Sequence, residues 1–228
     1  MTSHHGHEHT VDTTGLTAAE YWENRYRENG KSWSGNANAA LVREVGEVSP
    51  GTALDLGAGE GGDALWLARQ GWAVTAVDIA PSALAIGAAE QQPGDDITWV
   101  AADLSDWQPP RSYDLVSACF LHSFVELPRE RILRRAAEAV APGGLLLIVG
   151  HSGVPHWVDP AEFGDHIEEL PTPDEMLEAL FVDNPRLERG DWTVITSELV
   201  ERPIVAPDGS DSSIVDSVLK LRRTSAAD

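Results

Sequence analysis

The 228-residue chain has little of what several classes of function require. It has a single cysteine, Cys119, so no internal disulfide can form and no site can be built from several thiolates. That usage fits a reducing compartment. No stretch approaches the roughly 18 consecutive apolar residues of a membrane span. The first residues, MTSHHGHEH, have neither the basic start nor the apolar stretch of a signal peptide. Basic residues are scarce: 16 Lys and Arg stand against 37 Asp and Glu, a formal charge of −21. Such a surface repels phosphate backbones and anionic headgroups. This argues against nucleic-acid and membrane partners and fits a cytoplasmic protein, while the acidity taken alone need only provide solubility and is compatible with almost any small-molecule function. Nothing in the composition chooses between a monomer and a homodimer.

What is present supports a sizeable core, since 42% of residues are hydrophobic. Residues 1–15 read as a disordered His-rich tail without apolar period. Residues 16–50 read as a helical cap. Thr17 and Glu20 form a capping box, and Tyr21, Trp22, Arg25 and Tyr26 line one face of the helix that follows, to about Asn29. Trp33-Ser-Gly forms a turn, and a second helix is expected over Asn38–Val48. From residue 51 to about 224 strands and helices alternate. Strands are expected over 52–56, 73–77, 97–101, 113–118 and 145–149, with helices over 62–70, from Pro81, over 128–140 and over 173–181. The strands are apolar on both faces, as in a buried parallel sheet of an α/β domain. The last third differs. Two long strands, 192–204 and 213–222, flank Pro207-Asp-Gly and read as an antiparallel hairpin at the sheet edge.

The chemistry concentrates in Leu54-Asp-Leu-Gly-Ala-Gly-Glu-Gly-Gly, where the first strand turns into a helix. Gly57, Gly59 and Gly62 satisfy G-x-G-x-x-G, which alone indicates only some nucleotide. Asp55 narrows the choice. Its carboxylate would face the pyrophosphate of NAD at close range, which is unfavourable. S-adenosylmethionine (SAM) has no phosphate, and its ammonium and sulfonium both favour a nearby acid. Asp78 ends the second strand about 20 residues past the glycines, where an acid can bond ribose hydroxyls. Asp103 follows the third strand, placed to accept from an adenine amino group. Three acids then close three successive strands at the edge where open α/β sheets bind ligands.

These motifs resemble the class I SAM-dependent methyltransferases: Leu54-Asp-Leu-Gly-Ala-Gly-Glu-Gly, Val77-Asp-Ile, Ala102-Asp-Leu, Tyr113-Asp-Leu-Val and Pro142-Gly-Gly-Leu-Leu-Leu-Ile. Tyr21-Trp-Glu-Asn-Arg-Tyr, Trp33-Ser-Gly, Asp63-Ala-Leu-Trp-Leu-Ala and Phe120-Leu-His are similar to the tellurite-resistance and thiopurine-type branch. The resemblance implies a Rossmann-like, doubly wound seven-stranded sheet of order 3-2-1-4-5-7-6, with strand 7 antiparallel. It implies SAM as cofactor, held by Asp55, Gly57, Ala58, Gly59, Asp78, Ile79, Asp103, Leu104 and Cys119, with Trp33, Tyr21 and Arg25 reaching the methionyl end from the cap.

Methyl transfer needs a base only when the acceptor begins protonated. His122 and His151, after the fourth and fifth strands, are the candidates. Glu126, Trp157 and Phe163 are placed over the acceptor, which the sequence leaves open among a thiol, a metalloid oxyanion and a metabolite oxygen or nitrogen. His4, His5, His7 and His9 could bind a transition metal weakly. The scatter of His151, His156, Glu162 and His166 matches no zinc spacing, so no metal is expected. A non-catalytic SAM-binding or metal-sensing protein on the same fold stays open as an alternative, while an NAD oxidoreductase is disfavoured by Asp55.

Overall fold

The fold is taken from a computed structural model that describes residues 15–31, 33–123, 125–152, 170–182, 184–206 and 208–225. Helix α1 (Ala18–Asn29) begins at the predicted capping box. Thr17 Oγ1 accepts the Glu20 N–H at 3.2 Å, and the Glu20 carboxylate accepts the Thr17 N–H at 3.0 Å. Helix α2 (Ala39–Val45) is capped by Asn38, whose Oδ1 accepts the Ala40 N–H at 2.8 Å. It is shorter than the sequence suggests because Gly46 closes it.

The alternating region follows: β1 (Thr52–Leu56), α3 (Gly62–Arg69), β2 (Ala73–Asp78), α4 (Pro81–Glu90), β3 (Ile97–Ala101), β4 (Tyr113–Cys119), α5 (Arg129–Glu138) and β5 (Val140–His151). Helix α6 (Pro173–Phe181) precedes the hairpin of β6 (Trp192–Val205) and β7 (Asp211–Arg223). The seven strands lie in the order β3-β2-β1-β4-β5-β7-β6, with β7 antiparallel to both neighbours, as the resemblance implies. Strand β5 starts earlier than expected. Tyr113 pairs with Val140 and Leu115 with Leu145, so the Pro142-Gly-Gly segment bulges out of the ladder.

Each face of the sheet buries one apolar layer. Leu54, Val116, Leu146 and Leu219 pack with Ile132, Leu133 and Ala136 of α5 and Met176 and Leu180 of α6. Ala53, Val74, Leu115 and Leu147 pack with Leu41 of α2 and Ala64 and Leu67 of α3. Helix α1 docks on α4 through Tyr26, Ala80 and Ala83. The first turn of α4 has no cap of its own. Glu23 of α1 supplies one, accepting the Ser82 N–H at 3.0 Å and the Ser82 hydroxyl at 2.5 Å. The strong bonds from Ser82 lower the Glu23 pKa, so α1 is tied down by a charged group.

Gly61, at the entry to α3, has φ +77° and lies against the Trp99 ring, whose Cζ3 would stand 2.8 Å from an added Cβ. Gly94 has φ +104° with open space around it. Alanine at Gly94 should cost only the left-handed backbone penalty, about 1–2 kcal/mol. At Gly61 the same change should cost about 1–3 kcal/mol more, through overpacking. Urea unfolding of both variants measures the difference, and equal losses would contradict the Trp99 contact.

Candidate active site

The C-terminal ends of the strands border one cavity of about 1360 Å³. Apart from Tyr21, the cofactor residues expected from sequence line it: Arg25, Trp33, Asp55, Gly57, Ala58, Gly59, Asp78, Ile79, Asp103, Leu104 and Cys119, together with His122 and His151. Glu126 lines it too, whereas Trp157, Phe163, His156, Glu162, His166 and the His4, His5, His7 and His9 cluster fall outside the described residues. Among the described residues no three His, Cys, Asp or Glu side chains converge as a metal site.

Asp55 ends β1 with its side chain buried beneath the glycine turn. Its Oδ1 accepts the Ser117 hydroxyl at 3.1 Å, while Oδ2 is buried without a hydrogen-bond partner. Gly57 makes room for the turn, because a Cβ there would lie 2.8 Å from Leu121 Cδ1 and its φ is +73°. Sequence reasoning missed a second acid, Asp63, in the first turn of α3. Asp63 accepts the Asn38 N–H at 2.6 Å, and the Cys119 thiol bonds to it. Burial, then the neighbouring Asp63 charge, pushes the Asp55 pKa up to about 8. Burial raises Asp63 as well, so the pair retains a proton. Burial, then the two acids, raises the Cys119 thiol well above its usual range, which fits a pocket-lining residue and not a nucleophile.

Asp78 departs in detail from the expected ribose acceptor. Its two oxygens accept the Gly59 N–H at 2.8 Å and the Ala80 N–H at 2.9 Å, so it first fastens the glycine turn to α4. The Ile79 backbone also bonds to this carboxylate, and the residue still lines the cavity. Burial raises its pKa against those bonds. Asp103 is exposed at the rim and accepts the Ser105 N–H at 2.8 Å, closing its own loop.

The cap contributes aromatic groups. Trp33 is half exposed, and its indole N–H donates to the Tyr26 hydroxyl at 3.2 Å. Its backbone N–H donates to Glu60, another buried acid that sequence reasoning passed over. The Arg25 guanidinium lies 5.8 Å from both the Trp22 and Trp33 rings. Burial pushes the Tyr26 phenol to about 12, so it stays neutral. Tyr21 does not reach the cavity. It is buried edge-on behind Trp22, which takes the lining position instead.

On the far side of the cavity His151 Nδ1 lies 3.0 Å from Asp216 Oδ1, and Arg202 Nε donates to Asp216 Oδ2 at 2.6 Å. Neither Asp216 nor Arg202 was expected from sequence. His122 Nε2 accepts the His151 amide N–H at 3.2 Å. Burial, then Arg129 and His151, lowers the His122 pKa to about 3.

A folded pKa raised above the unfolded value means that Asp55 contributes stability at low pH and loses it as pH rises toward about 8. The thermal midpoint of the unliganded chain should therefore fall relative to Asp55→Asn between pH 5 and pH 9, by thermal scans. Parallel curves would contradict the buried, protonated pair.

The comparisons agree with this fold. Residues 53–144 match the family model for a methyltransferase domain. The chain is 33% identical over 117 residues to hemagglutinin 1 of Eikenella corrodens, covering 49% of this chain and 38% of that protein. It is 30% identical over 122 residues to a demethylmenaquinone methyltransferase of Tropheryma whipplei, covering 53% of this chain and 50% of that one. The chain thus spans half or less of the length of these two relatives. Among solved structures, TehB from Haemophilus influenzae superposes with a TM-score of 0.62 at 18% identity, over 89% of this chain and 67% of that one, a likeness of fold. The matched segment holds Asp55, the glycine turn, Asp78, Asp103 and His122. Residues 53–144 are thus similar to a methyltransferase domain, and the chain shares the fold of a class I methyltransferase.

Proposed function

We propose that this chain transfers the methyl group of SAM to a small-molecule acceptor bound in the same cavity. The observation that carries the reading is the unpartnered, buried Asp55 Oδ2 beside a second acid, Asp63. A cationic ligand without phosphate answers that arrangement, and a dinucleotide would set its phosphates against it. When bound, SAM supplies an electrophilic methyl group on a sulfonium.

The chain's residues then bind and orient. Asp55 accepts from the ammonium, and the Gly57-Ala-Gly turn admits the ligand close to the backbone. Asp78 would stand at the ribose, and Asp103 at the adenine end with Ile79 and Leu104. Trp33 and Arg25 close the methionyl end and keep water out. Alignment of acceptor and methyl in a dry pocket provides much of the rate.

The cap is assigned to residues 16–50 and the methyltransferase domain to residues 51–224. Among the described residues no helix is long and apolar enough to cross a membrane. With the charge of −21, this supports a cytoplasmic enzyme of small molecules that does not bind nucleic acid. One relative is named as a methyltransferase of demethylmenaquinone, a metabolite and not a macromolecule.

Calorimetry with SAM, S-adenosylhomocysteine and NADH tests the cofactor, and labelled-methyl transfer to an acceptor panel tests the activity. SAM should bind and NADH should not. Asp55→Asn should weaken SAM about 10- to 100-fold, as expected for losing a hydrogen bond to a charged group. Binding of NADH in preference to SAM, or unchanged SAM affinity in Asp55→Asn, would defeat the proposal.

A further inference from the structure

The hairpin that closes the sheet brings a polar cluster to the acceptor side of the cavity. In the antiparallel β5–β7 ladder His151 stands directly opposite Asp216. In the β6–β7 ladder Arg202 stands opposite Ile214, two residues before Asp216. Directly opposed residues share a sheet face, and so do residues two apart. His151, Asp216 and Arg202 therefore point to one side, and all three line the cavity.

We infer that His151, oriented by Asp216, accepts the acceptor's proton during methyl transfer, and that the acceptor is a neutral hydroxyl compound, not a thiolate or a metalloid anion. The inference rests on the proposed methyl-transfer reading and narrows it. Asp216 is buried and carries Arg202 on one oxygen and His151 on the other. Burial opposes its ionisation, but the bonds from His151 and Arg202 outweigh it and lower its pKa. An ionised carboxylate only accepts hydrogen bonds, so the proton of neutral His151 sits on Nδ1. The lone pair is then on Nε2, which has no hydrogen-bond partner among the described residues.

The ring of His151 is steadied by Phe120 at 4.5 Å and by stacking on His122 at 5.6 Å. Phe120 holds φ +54°, an unfavourable conformation for a residue with a Cβ. His122 cannot share the task, since its Nε2 lone pair is occupied by the His151 amide. Gly150 allows that approach, because a Cβ there would lie 3.0 Å from His122 Nε2.

The balance of the step is simple. The acceptor's O–H proton moves to His151 Nε2 while an oxygen electron pair forms the bond to the methyl carbon. The carbon–sulfur pair stays with sulfur, leaving a neutral thioether. The imidazolium faces the Asp216 carboxylate and then passes its proton to water. A thiolate or an oxyanion has no such proton to lose, so this cluster would serve no purpose for it. His151 is then a catalytic residue and Asp216 a positioning residue.

The test uses the full chain with SAM and a matched pair of acceptors, a phenol and the corresponding thiophenol, which is largely ionised near neutrality. His151→Gln should lose about 100-fold or more on the phenol relative to its loss on the thiophenol. Asp216→Asn should show the same split at lower amplitude. Nitrogen NMR of the histidine rings, without cofactor or turnover, should show His151 protonated on Nδ1 alone, with the Nε2–H form appearing in Asp216→Asn. Calorimetry should find SAM affinity retained in both variants. Equal losses on the two acceptors, transfer to the thiophenol alone, or a wild-type His151 protonated on Nε2 would overturn the assignment while leaving SAM binding intact. Absence of SAM binding to the wild type would instead overturn the proposed function, and this inference with it.

Discussion

Leaving Asp55 Oδ2 bare inside the protein costs the fold about 1–3 kcal/mol, and placing Asp63 beside it adds repulsion whenever both ionise. The surrounding structure makes that arrangement possible. Ser117 holds one oxygen of Asp55, the Asn38 amide holds Asp63, and Asp78 pins the glycine turn above them through Gly59. Helix α1 is in turn fastened to α4 by Glu23, which brings Trp33 and Tyr26 over the cavity. Pre-arranged negative charge with one unmade bond is a site that waits for a cation.

The two halves of the sheet contribute different chemistry because their strands run differently. In the parallel part of the sheet, three neighbouring strands, β3, β2 and β1, place Asp103, Asp78 and Asp55 at or just past their C-terminal ends. Antiparallel β7 reverses the direction, so a mid-strand residue, Asp216, meets His151 at the end of β5. One cavity spans both halves. On the proposed reading, a cofactor side rich in carboxyls and an acceptor side with a polarised imidazole share that cavity, with Asp55, Asp78, His151 and Asp216 all set on strands.

Much of this was legible in the sequence, for identifiable reasons. The strands of the parallel half are short apolar runs bounded by Gly, Pro and Asp, and the acids sit in local motifs, so both fold and cofactor side follow from near-neighbour patterns. The hairpin showed itself through Pro207-Asp-Gly. Its consequence did not, because Asp216 and His151 are 65 residues apart and meet only through strand register. Arg202 looks like any edge-strand cation until that register is known. Asp63 entered only as the first residue of Asp63-Ala-Leu-Trp-Leu-Ala, since nothing local reveals that Asn38 and Cys119 enclose it. Tyr21 and Trp22 are adjacent, and packing on α4 decided that Trp22 faces the cavity.

The central claim is that a buried carboxyl pair gives up its proton to receive a cationic cofactor. Its most direct measurement is the number of protons exchanged when SAM binds at pH 7, obtained by calorimetry in buffers of differing ionisation enthalpy. Burial and the neighbouring Asp63 hold the Asp55 pKa well above the usual carboxylate range, so binding a cation there should release protons. Asp55→Asn should release far less. A binding heat that does not depend on the buffer, in the unaltered chain, would contradict the account.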